Sequence, residues 1–160
     1  MTPKACEIHT LKSLEQMQSL ASEIALTYGK QNRLVVLLDG EMGAGKTQFT
    51  HFFVGALGGG ETSSPSFAIH HSYPIGTRTL DHFDLFRLQS EDELEATGFW
   101  DFFRNQNGII IIEWAERLRT LGLYQHLPIT WPKLQLNLEF VPIEDSTASQ
   151  ARKVTVLLGG

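Results

Sequence analysis

Only one cysteine is present, Cys6, so no disulfide can form within the chain, which suits a reducing compartment. No apolar run nears the roughly 20 residues that cross a bilayer as a helix; the longest, at 34–38 and 109–112, are strand-sized. The opening residues Met1-Thr2-Pro3-Lys4 lack the basic and then apolar layout of a signal peptide, and a cytoplasmic protein without membrane contact is expected. Positive charge is also scarce. Thirteen Lys and Arg stand against 18 Asp and Glu, net −5, with no basic run longer than Arg152-Lys153. Affinity for nucleic acid comes largely from neutralising phosphates, so direct binding of DNA or tRNA is not expected. Repeats and low-complexity tracts are missing as well. What is there, 160 residues of which 42% are hydrophobic, suits one globular domain over 1–160 with a core that needs no covalent staple.

Periodicity predicts an α/β fold. Residues 13–28 form an amphipathic helix with Leu14, Met17, Leu20, Ala21, Ile24 and Ala25 on one face and Gly29 at its end. The continuous run 34–38 has the pattern of a strand buried on both faces of a parallel sheet, and a helix over 46–57 is stopped by Gly58-Gly59-Gly60. Strands over 67–73 and 78–86, with Pro74-Ile75-Gly76-Thr77 as the turn, predict a hairpin. Ser90, Glu93 and Gly98 bracket a short helix over 90–97. Residues 108–114 predict a second buried strand that ends in a carboxylate, 134–141 and 153–158 two more strands, and polar 144–150 a loop. The result is a central, mostly parallel sheet extended by antiparallel strands, with helices on both faces.

Gly-Glu-Met-Gly-Ala-Gly-Lys-Thr at 40–47 fits the phosphate-binding loop, four free positions between Gly and Gly-Lys-Thr, and stands between a strand and a helix as the mechanism requires. Glycines let consecutive backbone N–H groups turn inward to phosphate oxygens. The helix that follows adds its positive end. Lys46 reaches the β- and γ-phosphates, and the Thr47 hydroxyl ligates Mg²⁺. Glu41, Met42, Gly43, Ala44, Gly45 and Gln48 complete the candidate binding set, with ATP and Mg²⁺ the expected ligands. Such loops read phosphates and not the base; on chain geometry, residues 9–11 are the candidate for the adenine side.

Hydrolysis needs an acidic group near the metal or the attacking water, usually at the end of a neighbouring strand. Glu113 closes the apolar strand in that way, either as that group or as a solvent-facing strand end. Asp39 adjoins the loop and competes, with a structural role the better fit. In strand geometry His82, Asp84 and Phe86 share one face, and Asp81, Phe83, Leu85 and Arg87 the other. Asp84 can orient a nucleophile or reach Mg²⁺ through water, with His82 beside it; a solvated edge strand has the same pattern. Residues 63–67 are open between a mobile loop near the γ-phosphate and a plain turn. His70 and His71 are adjacent, so a strand points them apart, a poor metal pair. Trp114 suits packing better than stacking on a base.

Four pieces together, the loop at 40–47, Ser-Pro-Ser-Phe at 64–67, His-Phe-Asp-Leu-Phe-Arg-Leu at 82–88 and Ile-Glu-Trp-Ala-Glu at 112–116, resemble the TsaE (YjeE) family over about residues 10–120. The resemblance implies a P-loop fold and an ATPase of tRNA threonylcarbamoyladenosine (t6A37) biosynthesis, weak alone and controlled by its partners. It implies that TsaD with TsaB performs the transfer to adenosine 37 and that ATP hydrolysis here resets that pair; the net charge of −5 favours a route to tRNA only through those proteins. By position it implies Lys46 and Thr47 on phosphate and Mg²⁺, Glu113 as the second Mg²⁺ ligand, and Asp84 in support of hydrolysis. Trp114 would lie close to the nucleotide. Two residues depart from the family pattern: Ser66 stands for Thr, and Phe86 for Tyr.

Two rival readings share the loop. A small-molecule kinase needs an acceptor site and usually an arginine-rich lid, and Arg117 and Arg119 are the only close pair of arginines. A binding switch without useful hydrolysis is the other; the Asn-Lys-x-Asp motif of guanine-reading switches is missing.

Overall fold

The computed structural model describes residues 6–60, 69–105, 107–142 and 151–159. Strand β1 (Cys6–Leu11) leads to helix α1 (Leu14–Tyr28), β2 (Arg33–Gly40) and α2 (Lys46–Ala56). A hairpin of β3 (His70–Ile75) and β4 (Arg78–Asp84) follows, then α3 (Glu91–Ala96), a 3-10 segment (Phe99–Arg104), β5 (Gly108–Glu113) and α4 (Glu116–Thr120). After a 3-10 turn (Tyr124–His126), β6 (Lys133–Val141) and β7 (Ala151–Gly159) close the chain.

The strands form one sheet in the order β1-β7-β6-β2-β5-β4-β3. Its middle, β6, β2, β5 and β4, is parallel. Antiparallel strands widen it on both sides, β3 beside β4, and β7 and then β1 beyond β6. A central strand of such a sheet has no wet face, and so 34–38 is apolar without alternation. Leu34, Val36 and Leu38 pack with α1 and α2, while Val35 and Leu37 pack with α3, α4 and the 3-10 segment. Helices therefore cover both faces. Among the described residues no helix is long and apolar enough to cross a membrane.

Local chemistry sets the element ends. Ser13 caps α1, its hydroxyl accepting from the Gln16 N–H at 3.2 Å. Met17, Leu20, Ala21, Ile24 and Ala25 are buried as expected, but Leu14, in the first turn, falls short of the core and is 55% exposed. Pro74 and Ile75 belong to β3 rather than to the turn, which shrinks to Gly76 and Thr77. Pro74 is tolerated because β3 is the sheet edge and needs no outward N–H. At the other end, β4 stops at Asp84 and does not reach Phe86, because the Asp84 Oδ1 accepts from the Phe86 N–H at 3.0 Å and turns the chain. Strand β5 stops at Glu113; Trp114 takes a left-handed φ of +57°. Strand β1 is an element that periodicity did not indicate. The expected strand start at 67–68 and the loop at 144–150 lie outside the described residues.

Candidate functional site

Parallel pairing brings distant pieces of sequence to one edge. Leu38 is level with Glu113, and Glu113 with Asp84, so β2, β5 and β4 end side by side where the chain leaves β2 for the loop. Such carboxyl ends are where open α/β sheets take their ligands. The loop curls through positive φ at Gly40 (+141°), Gly43 (+78°) and Gly45 (+108°), which glycine alone adopts cheaply.

The C-terminal hairpin backs the loop. A Cβ on Gly40 would sit 2.2 Å from the Leu138 carbonyl oxygen of β6, and the Arg152 Nε of β7 donates to the Ala44 carbonyl at 2.8 Å. A Gly40→Ala chain should lose about 2–4 kcal/mol of stability from overlap and strain together, read as a lower urea midpoint. An unchanged midpoint would show that β6 can give way.

Lys46 is 5% exposed. Its Nζ donates to the Gly40 and Glu41 carbonyls at 2.7 and 2.8 Å and lies 4.0 Å from the centre of the Trp114 ring. Burial pulls its pKa below that of an ordinary lysine, and Glu113, Asp84, Asp39 and Glu116 act against that pull. A cavity of about 400 Å³ opens over the loop. Of the expected residues it gathers Met42, Gly43, Gly45, Lys46, Thr47, Gln48, Asp84 and Glu113; Phe86, Trp114 and His51 join them. Glu41 and Ala44 do not line it, and neither does the 9–11 segment of β1. Residues 64–67 lie outside the described residues.

Glu113 is a buried carboxylate, 1% exposed, and therefore no solvent-facing strand end. Its Oε2 accepts from the Thr47 hydroxyl at 3.1 Å, and its Oε1 from the Thr50 hydroxyl at 3.2 Å and from His82 Nε2 at 2.9 Å. Burial by itself would raise its pKa; the donors and the His82 charge outweigh that and hold it below the usual carboxylate range. A hydroxyl and a carboxylate at one edge, with Asp84 on the neighbouring strand, are hard oxygen donors of the kind Mg²⁺ prefers. No group of three or more His, Cys, Asp or Glu that could hold a metal occurs among the described residues. Mg²⁺ commonly takes one or two protein carboxylates and completes its shell with phosphates and water, so this donor set fits.

Asp39 does not line the cavity. Its Oδ1 accepts from the Glu116 N–H at 2.8 Å and its Oδ2 from the Arg119 Nη1 at 2.7 Å, tying the end of β2 to the start of α4. Asp39→Ala should cost about 1–2 kcal/mol in chemical denaturation through the lost cap while leaving ATP affinity as it was. The polar pattern of β4 does not mark an edge strand, since β4 lies between β3 and β5. Asp81 and His82 are buried, and Asp81 Oδ1 lies 2.8 Å from His70 Nε2 on the sheet face opposite Glu113. Thr50 and His82 are the two contacts of Glu113 that sequence reasoning did not assign. Thr50 follows Thr47 by three residues, so both face the sheet from one side of α2.

A strand–loop–helix turn with these glycines, an inward lysine and a carboxylate on the adjacent parallel strand defines a P-loop protein. Residues 11–144 match the family model described as "Threonylcarbamoyl adenosine biosynthesis protein TsaE", and the chain belongs to that family. It is 35% identical to the TsaE of Rickettsia conorii over 82% of this chain and 70% of that protein. With the TsaE of Haemophilus influenzae it shares 37% identity over 60% of this chain and 61% of that protein. The crystal structure of Bacillus subtilis YdiB has the same fold, with a TM-score of 0.69 and 24% identity over all of this chain and 90% of that one.

Proposed function

We propose that residues 1–160 form one cytoplasmic, Mg²⁺-dependent ATPase domain, weak alone and controlled by partners, that serves t6A formation at adenosine 37 of tRNA. It acts on a TsaB–TsaD pair and does not itself transfer the threonylcarbamoyl group; tRNA is met only through those partners, and neither DNA nor membrane is a ligand.

The observation that carries the ATPase reading is the approach of the Thr47 hydroxyl to Glu113 Oε2, at 3.1 Å and beside Lys46. The loop N–H groups and the end of α2 receive the phosphates. Lys46 leaves the Gly40 and Glu41 carbonyls to donate to the β- and γ-phosphates. Thr47 and Glu113 would hold Mg²⁺, which would supply charge neutralisation during transfer. Asp84, an acceptor-only carboxylate on the next strand, orients the attacking water. That water's oxygen bonds to the γ-phosphorus as the bond to the β-γ bridging oxygen breaks; the water's proton ends on the released phosphate, and ADP leaves with the electron pair. Phe86 and Trp114, ring centres 4.9 Å apart, form an apolar wall that limits stray water.

The test is a multiple-turnover assay with TsaB, TsaD and tRNA in which ADP release and modified tRNA are followed together. Modification should run past one turnover only with this chain and ATP. Repeated turnover without either would overturn the reading.

A further inference from the structure

Glu113 is held unevenly. Among the described residues its Oε1 takes two donors, His82 Nε2 and the Thr50 hydroxyl, while its Oε2 takes one, the Thr47 hydroxyl. A carboxylate with one pinned oxygen cannot rotate freely about its terminal bond, so the two oxygens are not interchangeable. We propose that His82 and Thr50 are positioning residues that lock Glu113 Oε1 and present Oε2 toward Thr47 and its metal. This rests on the reading of Thr47 and Glu113 as the metal-binding pair.

The histidine is placed for this task at a cost. His82 is 5% exposed, and its Nδ1 is buried with no hydrogen-bond partner among the described residues. A buried polar atom without a partner lowers stability, so a core position chosen for stability alone would carry an apolar side chain. Among the described residues the ring's Nε2 bonds to Glu113. That nitrogen must carry the hydrogen, since an ionised carboxylate only accepts. The geometry also needs both elements: His82 is level with Ile111 in the β4–β5 register, two residues before the Asp84–Glu113 pair, so it reaches Glu113 diagonally across one sheet face. Thr50 approaches the same oxygen from α2 and shares its one hydroxyl hydrogen between that oxygen at 3.2 Å and the Lys46 carbonyl at 3.0 Å, joining the carboxylate to the backbone of the loop lysine. Outer partners of this kind change metal affinity or activity by about 10- to 100-fold when removed.

The experiment compares His82→Asn, which keeps a polar atom near Nδ1 but none near Nε2, with His82→Gln, which restores a donor near Nε2. Thr50→Val and Thr50→Ser form a second pair that removes or keeps the hydroxyl. For each, the dissociation constant of ADP is measured with Mg²⁺ and with EDTA, and ATP turnover is measured beside it. In His82→Asn the tightening by Mg²⁺ should shrink about 10-fold and turnover fall about 10- to 100-fold, while the EDTA constant stays put; His82→Gln should recover most of both. Thr50→Val should lose several-fold and Thr50→Ser little, and this pair decides the matter if His82→Asn does not fold. A wild-type response to Mg²⁺ in both His82→Asn and Thr50→Val would overturn the proposal. So would equal losses with and without Mg²⁺, which mark a merely structural role. If the parent chain binds ADP no better with Mg²⁺ than with EDTA, the metal-pair reading fails and the proposal falls with it.

Discussion

Replacing Lys46 with alanine should weaken ATP binding by about 10- to 100-fold, measured by calorimetry in EDTA so that the metal does not mask the loss. Charge-assisted hydrogen bonds contribute about 1.5–3 kcal/mol, and at about 1.4 kcal/mol per factor of ten this sets the range. The lower half of that range is expected. In the free protein the ammonium already donates to the Gly40 and Glu41 carbonyls and lies over the Trp114 ring, so nucleotide exchanges those contacts instead of adding to them. Affinity equal to that of the parent chain would remove the loop from consideration as the phosphate site.

The second large effect belongs to Glu113, and the structure decides which variant can show it. Glu113→Ala would leave the buried His82 Nε2 without its partner, at about 1–3 kcal/mol, while Thr50 would keep the Lys46 carbonyl and Thr47 would face the cavity. Loss of activity would then be confounded with loss of fold. Glu113→Gln keeps an oxygen for His82 and Thr50 and turns an amide toward Thr47, whose hydroxyl can accept. ATP turnover should fall about 100-fold or more, the scale of removing one preorganised electrostatic group, with metal-free ADP affinity unchanged. Turnover and metal-free binding falling by the same factor would count against Glu113 as a metal ligand. Because its carboxyl is held below the usual range, acidification from neutral pH should leave the parent chain's Mg²⁺ dependence intact until the pH drops under that of an ordinary glutamate.

Much of this site was legible because its chemistry is local in sequence. The loop at 40–47 is contiguous, and glycines plus lysine and threonine at fixed offsets admit few other uses. Glu113 was legible from its place at the end of an apolar run, and the run's lack of alternation gave away the parallel sheet. Asp84 could be named but not placed, since its face of β4 becomes meaningful only once β4 is level with β5. His82 and Thr50 were not legible as partners of Glu113. The pairing joins residues 63 and 31 positions from Glu113, and nothing in a one-dimensional pattern reports a diagonal across two strands. The misplaced boundaries have the same origin: Pro74 stays in β3 because of where the sheet ends, and Phe86 leaves β4 because of a side-chain hydrogen bond.

The stretch after about residue 120 carries no recognisable motif, yet it is mechanically coupled to the one motif that matters most. Strand β6 offers the Leu138 carbonyl that forbids any bulk on Gly40, and β7 sends Arg152 to hold the Ala44 carbonyl from behind. The phosphate loop is therefore a cantilever anchored at its far side by the C-terminal hairpin. On the proposed ATPase reading, stiffness at that anchor holds the turn of the loop in the free protein, and slack there would be felt as slower nucleotide capture even with Lys46, Thr47 and Glu113 untouched. Any load on this hairpin is passed to the loop through those two carbonyls.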